Sequence, residues 1–149
     1  LSPLPQLVLM RSCWLSYYSE AIGGLPGAVA LGHERNYWGD AVTPEMLRAG
    51  LAQIPEGATL DVAPVLHPLQ LTFLHQQSVL RFRPDLNLRG YDPRLHSDIR
   101  YVLVFHRLAD PWDLLPPPDG SKVLSEVERE GVVLAQLLEL LQSGRATAE

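Results

Sequence analysis

"IRYVLVF", residues 99 to 105, decides the fold class. After Arg100 it is an unbroken run of β-branched, aromatic and aliphatic residues, which suits a strand buried on both faces of a covered sheet. Working upstream, "DLNLRG" (85–90) is a second candidate strand. A helix opening at Pro68, with Leu69, Phe73 and Gln76 in register, precedes it. "ATLDVAP" (58–64) reads as a short strand because Leu60 and Val62 alternate with polar partners. Before that strand, Thr43 can accept an early helical N–H, and Pro44 fits the first helical position. Met46, Leu47, Leu51 and Ile54 then share one face, and Pro55 with Gly57 ends the helix. Helix, strand, helix, strand, strand predicts an α/β fold: a small Rossmann-like sandwich of two or three layers around a mixed, partly parallel sheet.

The 149 residues amount to one domain's worth of core. Composition is that of a globular protein, 46% hydrophobic and 19% charged, but 13 Pro and 11 Gly imply many loops and argue against long helical bundles. With 12 basic and 17 acidic residues the formal charge is -5, which repels a phosphate backbone, so nucleic acid is not an expected partner. The single cysteine, Cys13, excludes an internal disulfide and a multi-cysteine zinc site, and reads as a small apolar residue in a helix. No uninterrupted apolar run approaches the roughly 18 residues needed to cross a bilayer. The chain opens on Leu1, and "LSPLPQLVLM" lacks the basic start and small-residue cleavage site of a secretory signal, so it reads as a piece of a longer protein.

Residues 6 to 22 place Leu7, Met10, Trp14, Tyr17, Tyr18 and Ala21 at three- to four-residue spacing, the repeat of an amphipathic helix apolar enough to lie on a surface. Gly23-Gly24 should stop it, and "GGLPGA" reads as a hinge. "ADPWDLLPPPDG" (109–120) reads as loop. "KVLSEVEREGVVLAQLLELL" (122–141) is helical by propensity, yet Gly131 and the "EREG" turn also suit a hairpin. Residues 142–149 read as a frayed tail.

Most catalytic signatures are missing. The five histidines show no two-His helical spacing with a carboxylate, so no metal site is expected. No Gly-x-Ser-x-Gly frame exposes a nucleophile. "GGLPGA" lacks a following Lys-Ser/Thr and has proline where a phosphate cradle needs N–H groups. The densest cluster of chemistry-bearing residues is "HERNYWGDAVTPEM" (33–46). Glu34 and Asp40 could act as an acid–base pair only if the loop folded them together, and carboxylates at such spacing are more often solvated or capping. Tyr37 and Trp38 carry apolar area with a polar handle, suiting core or interdomain packing first and ligand stacking second.

"LSYYSEAIGGLPGA" followed by "ERNYWGDAVTPEML" resembles the C-terminal part of bacterial membrane glycosyltransferases related to the dolichyl-phosphate-mannose protein mannosyltransferases. Leu15, Ser16, Tyr17, Tyr18, Gly23 and Gly24 match a first block of that family. Tyr37, Trp38, Gly39 and Asp40 match a second. Ser19 stands where the family usually has Asn, and Ser12-Cys13 where a His-Pro pair commonly precedes the block. The block similarity covers 15 to 46. A looser similarity continues to about 140 and, with Gly131 and the paired valines, favours the hairpin for 122–141.

The resemblance implies a polytopic membrane enzyme that moves a sugar from a polyprenyl-phosphate carrier to an acceptor outside the cytoplasm. Its catalytic carboxylate would lie far upstream, so no catalytic residue and no cofactor is expected in this chain. The implied division is a membrane-proximal amphipathic helix and hinge (1–24), a joint (25–42), an extracytoplasmic α/β domain (43–141) and a disordered tail (142–149). The implied partners are the membrane part of the same polypeptide, the membrane surface, and lipid-linked sugar or acceptor. Tyr17, Tyr18, Glu34, Tyr37, Trp38 and Asp40 are the residues expected at that interface. The alternative is a freestanding Rossmann-like module that binds a small molecule or a protein. A third reading is a structural domain without substrate contact.

Overall fold

Tyr101–Phe105 forms a strand, β3, in which every residue is buried, as its two-sided apolar run requires. The computed structural model describes residues 8, 10, 13–36, 39–64, 66–76, 79–108 and 114–141. Around β3 lie β1 (Thr59–Ala63), β2 (Asn87–Gly90), β4 (Lys122–Arg129) and β5 (Val132–Glu139), in the order β2-β1-β3-β5-β4. β1 runs parallel to β2 and β3, while β5 runs antiparallel to β3 and β4. The expected α/β class with a mixed, partly parallel sheet is what the chain adopts.

Three helices whose residues are all described are α1 (Gly24–Ala30), α2 (Pro44–Leu51) and α3 (Pro68–Gln76), and α3 supplies the crossover that parallel β1 and β2 need. Leu60 and Val62 of β1, Leu103 and Phe105 of β3, and Leu137 of β5 share one apolar cluster with Met46, Leu47 and Leu51 of α2. Leu71 and Leu74 of α3 pack against the same cluster. The opposite face of the sheet, with Val102, Val104 and Leu138, is closed by Tyr91, Ile99 and Leu114. Helices therefore cover one face and loop residues the other, the two-layer form of the sandwich. Met10, Cys13, Leu25 and Val42 belong to the helix-side cluster too.

α2 begins as its sequence requires. Thr43 is extended, its hydroxyl accepts the Met46 N–H at 3.2 Å, and Pro44 opens the helix. Its other end is held by Arg83, whose guanidinium donates to the carbonyls of Leu51 (2.6 Å), Ile54 (3.3 Å) and Pro55 (3.1 Å) while pairing with Asp85 at 2.8 Å. The Leu51 carbonyl also accepts the Ile54 N–H at 3.2 Å, so Arg83 braces the turn that follows the helix. Gly50 sits where α2 meets the sheet. A Cβ there would stand 2.3 Å from Ser125 Oγ and 2.4 Å from Leu137 Cδ2.

Residues 122–139 form a hairpin rather than a helix. Its two-residue turn, Glu130-Gly131, has φ of 51° and 77°, the pair of left-handed residues that a tight right-twisted hairpin demands. The ladder shifts register between Val123 and Ser125 and again between Val127 and Glu128.

Four expectations require correction. Residues 14 to 22 are two 3-10 turns, Trp14–Ser16 and Glu20–Ile22, not one α-helix. The Leu15 N–H is given to the Asp40 carboxylate and the Ala21 N–H to the Ser19 hydroxyl, so a helical ladder loses both donors. "GGLPGA", expected as a turn-rich stretch, is instead mostly helical. Gly23 closes the second 3-10 turn in a left-handed conformation, and α1 follows at once, with Pro26 in its first turn, where no amide is missed, and Leu25 and Ala28 buried. In α3 the inward face is Leu71 and Leu74, while Leu69 and Phe73 point out, because apolar residues on every side leave the phase of the helix unmarked. Asp61, one of the polar partners in the alternation of β1, is wholly buried rather than on an open polar face, because the face it occupies is covered as well. The remaining residues of the stretch 6–22 (6, 7, 9, 11 and 12) and the tail 142–149 lie outside the described residues, as do 109–113 of the expected loop.

Candidate functional site

The polar residues of 33–46 are fastened, one after another, to different parts of the fold. Glu34 Oε1 accepts the Leu108 N–H at 3.0 Å, just beyond β3, and its Oε2 lies 3.9 Å from Arg107 Nε, within ion-pairing reach but without a hydrogen bond. Tyr18 donates its hydroxyl to the Glu34 carbonyl at 2.5 Å, and its ring lies 6.0 Å from that of His33. Asn36 is buried and donates its amide to the Leu134 carbonyl of β5 at 3.2 Å. Asp40 Oδ2 accepts the Leu15 N–H at 2.9 Å, and Thr43 starts α2.

Electrostatics at Asp40 follow from its burial. Desolvation pushes its carboxyl above the ordinary value of 3.8, and the backbone N–H groups of Leu15, Ala41 and Asp40 itself pull it back in part. The Ser16 hydroxyl also favours the charged form from beside it, without reaching hydrogen-bonding geometry. Ser16 Oγ and Asp40 Oδ1 are both buried without a hydrogen-bond partner. Burial likewise pushes the Cys13 thiol up, opposed by Arg129 and reinforced by Asp40, which leaves it protonated and unreactive at neutral pH. Nothing here activates a nucleophile.

Of the residues expected at the interface, Tyr17 and Tyr18 are half-buried against the core cluster, and Glu34 and Asp40 hold separate backbone amides. The two carboxylates are thus engaged independently, not as an acid–base pair. Tyr37 and Trp38 lie outside the described residues. Two participants were not singled out from sequence, Asn36 and Glu130, and Ser16 entered only as a match to the first block of the resemblance. Asn36 stands in the quoted cluster itself. Glu130, whose Oε2 accepts the Leu25 N–H at 3.0 Å, had no local signal, because its partner lies at the other end of the chain.

A second polar group lies on the loop-covered face. Asp61 receives Arg89 Nε at 2.6 Å and Nη2 at 3.2 Å, and Arg89 reaches on to Asp98 at 2.9 Å. The pairing follows from the register, which sets Asp61 of β1 opposite Arg89 of β2. Burial raises the Asp61 carboxyl more than Arg89 lowers it, while the two carboxylates hold Arg89 more firmly protonated than usual. This network closes on itself and reads as a structural element of the sheet.

Among the described residues, no three His, Cys, Asp or Glu side chains are placed to hold a metal, and no helix is long and apolar enough to cross a membrane. What the cluster at 33–46 does chemically is join: it ties the N-terminal turns, the exit from β3, and β5 to the start of α2. Comparison with protein-family models, with curated proteins and with solved structures finds no match.

Proposed function

We propose that this chain is the extracytoplasmic C-terminal domain of a polytopic membrane glycosyltransferase that transfers a sugar from a polyprenyl-phosphate carrier to an acceptor. In this reading the chain itself is non-catalytic. Residues 33–46 form the joint through which it meets the membrane part of the polypeptide, and the acceptor or the lipid-linked sugar comes close to that joint. The observation that carries the reading is spatial. The two sequence blocks that resemble this enzyme class are bound to each other, through Leu15 N–H to Asp40 and Tyr18 hydroxyl to the Glu34 carbonyl. Blocks that touch are one unit, so their joint similarity weighs more than two separate ones. The all-structural uses of Glu34, Asn36 and Asp40 also fit a domain whose chemistry lies elsewhere.

The test is sugar transfer by the full-length protein in membranes, supplied with a labelled polyprenyl-phosphate sugar. Donor-dependent transfer is expected, and Asp40→Ala and Trp38→Ala, at matched protein levels, are expected to lower it. A full-length protein without membrane spans, or without donor-dependent transfer, would overturn the reading. Transfer unchanged in both variants would reduce the chain to a scaffold.

A further inference from the structure

We infer that the outer face of α3 docks on an anionic lipid surface. α3 (Pro68–Gln76) turns Leu71 and Leu74 to the core, yet it also leaves Leu69 74% and Phe73 56% exposed, one turn apart on its other side. A helix apolar all round is ordinarily covered, and two large side chains held at i and i+4 form a surface that water disfavours. The turn after α3 adds Phe82, 40% exposed, with the Arg48 guanidinium of α2 5.8 Å over its ring.

Charge decides between occupants. From Asp61 to Asp85 the chain has no acidic residue in between, although the protein as a whole is at -5; the same interval carries His67, His75, Arg81 and Arg83. Arg83 is neutralised by Asp85. Arg48 and Arg81 are exposed and make no ion pair among the described residues. The only carboxylate of α2, Glu45, sits in its first turn. Exposed Leu69, Phe73 and Phe82, with Arg48 over the Phe82 ring and Arg81 next to it in the chain, match the boundary between acyl chains and anionic headgroups: the apolar groups enter and the guanidiniums stay at the phosphates. A second copy packed on this face would set the same cations against one another. The inference goes beyond the proposed function, because it concerns lipid binding by this chain and stands whether or not the parent protein transfers sugar.

The test is co-sedimentation of the chain with phosphatidylcholine vesicles, with and without phosphatidylglycerol. Retention is expected on the anionic vesicles, weak retention on the neutral ones, and a fall as salt is raised. Leu69→Glu with Phe73→Glu should weaken retention more than about tenfold. Arg81→Glu should weaken it about fivefold to tenfold. Because these side chains are exposed, unfolding midpoints should stay near wild type. The gentler Leu69→Ser with Phe73→Ser should show the same loss and guards against misfolding of the acidic pair. No retention on either vesicle overturns the inference, as does retention that ignores composition and both double variants. A dimer that the double variants dissociate, with no lipid retention, overturns it in favour of self-association.

Discussion

The Glu130 carboxylate, at the tip of the β4–β5 hairpin, accepts the Leu25 backbone N–H at 3.0 Å across 105 positions of sequence. It satisfies one of the unpaired donors at the start of α1 and ties that helix to the β4–β5 hairpin. Glu130 achieves this from a left-handed backbone conformation, φ 51°, which costs a non-glycine residue about 1 kcal/mol. Glu130→Ala keeps that strain and loses the bond, so it should destabilise by about 1 kcal/mol. Glu130→Gly loses the bond but relieves the strain, so its urea midpoint should lie close to wild type. Equal losses in the two variants would show that the hydrogen bond, the strain or both are misassigned.

Asp40 gives a pH test with a defined sign. Its folded carboxyl is raised above 3.8, so the folded state holds this proton more tightly than the unfolded state. The associated stability is fully present below pH 3.8 and is lost as pH rises through the raised folded value. Asp40→Asn retains an acceptor for Leu15 and carries no charge. Relative to wild type it should therefore gain stability as pH rises through that window, and unfolding curves across acid pH would show the two diverging. Asp40→Ala removes the acceptor and should cost about 1–2 kcal/mol at low pH, and less as pH rises through the same window, because alanine carries no charge either. A wild type that gains on Asp40→Asn with rising pH would refute the burial argument.

Arg89 and Asp61 should behave as a pair that is worse broken than absent. Arg89→Ala strands a carboxylate whose side chain is fully buried. The loss should reach about 3 kcal/mol, the low end for a buried pair, since the arginine side chain is 25% exposed. That deficit should shrink as pH falls below the raised Asp61 value, where a neutral carboxyl needs no cation. Asp61→Leu with Arg89→Met should come within about 1 kcal/mol of wild type. A double variant as unstable as the single one would mean that the loss comes from packing rather than from charge.

Gly50→Ala should destabilise although alanine is the better helix former by about 1 kcal/mol. The new methyl meets Ser125 Oγ and Leu137 Cδ2 well inside contact distance, and overpacking of this kind costs about 1–3 kcal/mol. Adding Ser125→Gly opens the space and should recover part of the loss. A stabilised Gly50→Ala would show that α2 can lift off the sheet without penalty.

Much of the fold was legible because it is written locally. β3 announced itself as an apolar run and Thr43-Pro44 as a helix start, whereas the hairpin of 122–139 opposed its helical propensity and was favoured only by Gly131, the paired valines and the resemblance together. What was not legible depends on partners distant in sequence. The stretch 14–22 has helical periodicity, but Asp40 takes the Leu15 donor that a helix would use. Asp61 looked like the polar half of an alternation until Arg89 and a covering loop made burial tolerable. At the candidate site the residue types stood out, but not their use: Glu34 and Asp40 each hold one amide, from opposite sides of the joint.

β5 is the last strand in sequence among the described residues, yet it lies inside the sheet, between β3 and β4. On the ribosome the parallel half of the sheet emerges first and keeps one long edge open until β5 arrives. The opening segments wait as well, because Asn36 needs the Leu134 carbonyl and Leu25 needs Glu130. Completion of this fold is therefore late: Leu25 and Asn36 find these partners only once β4 and β5 have been made.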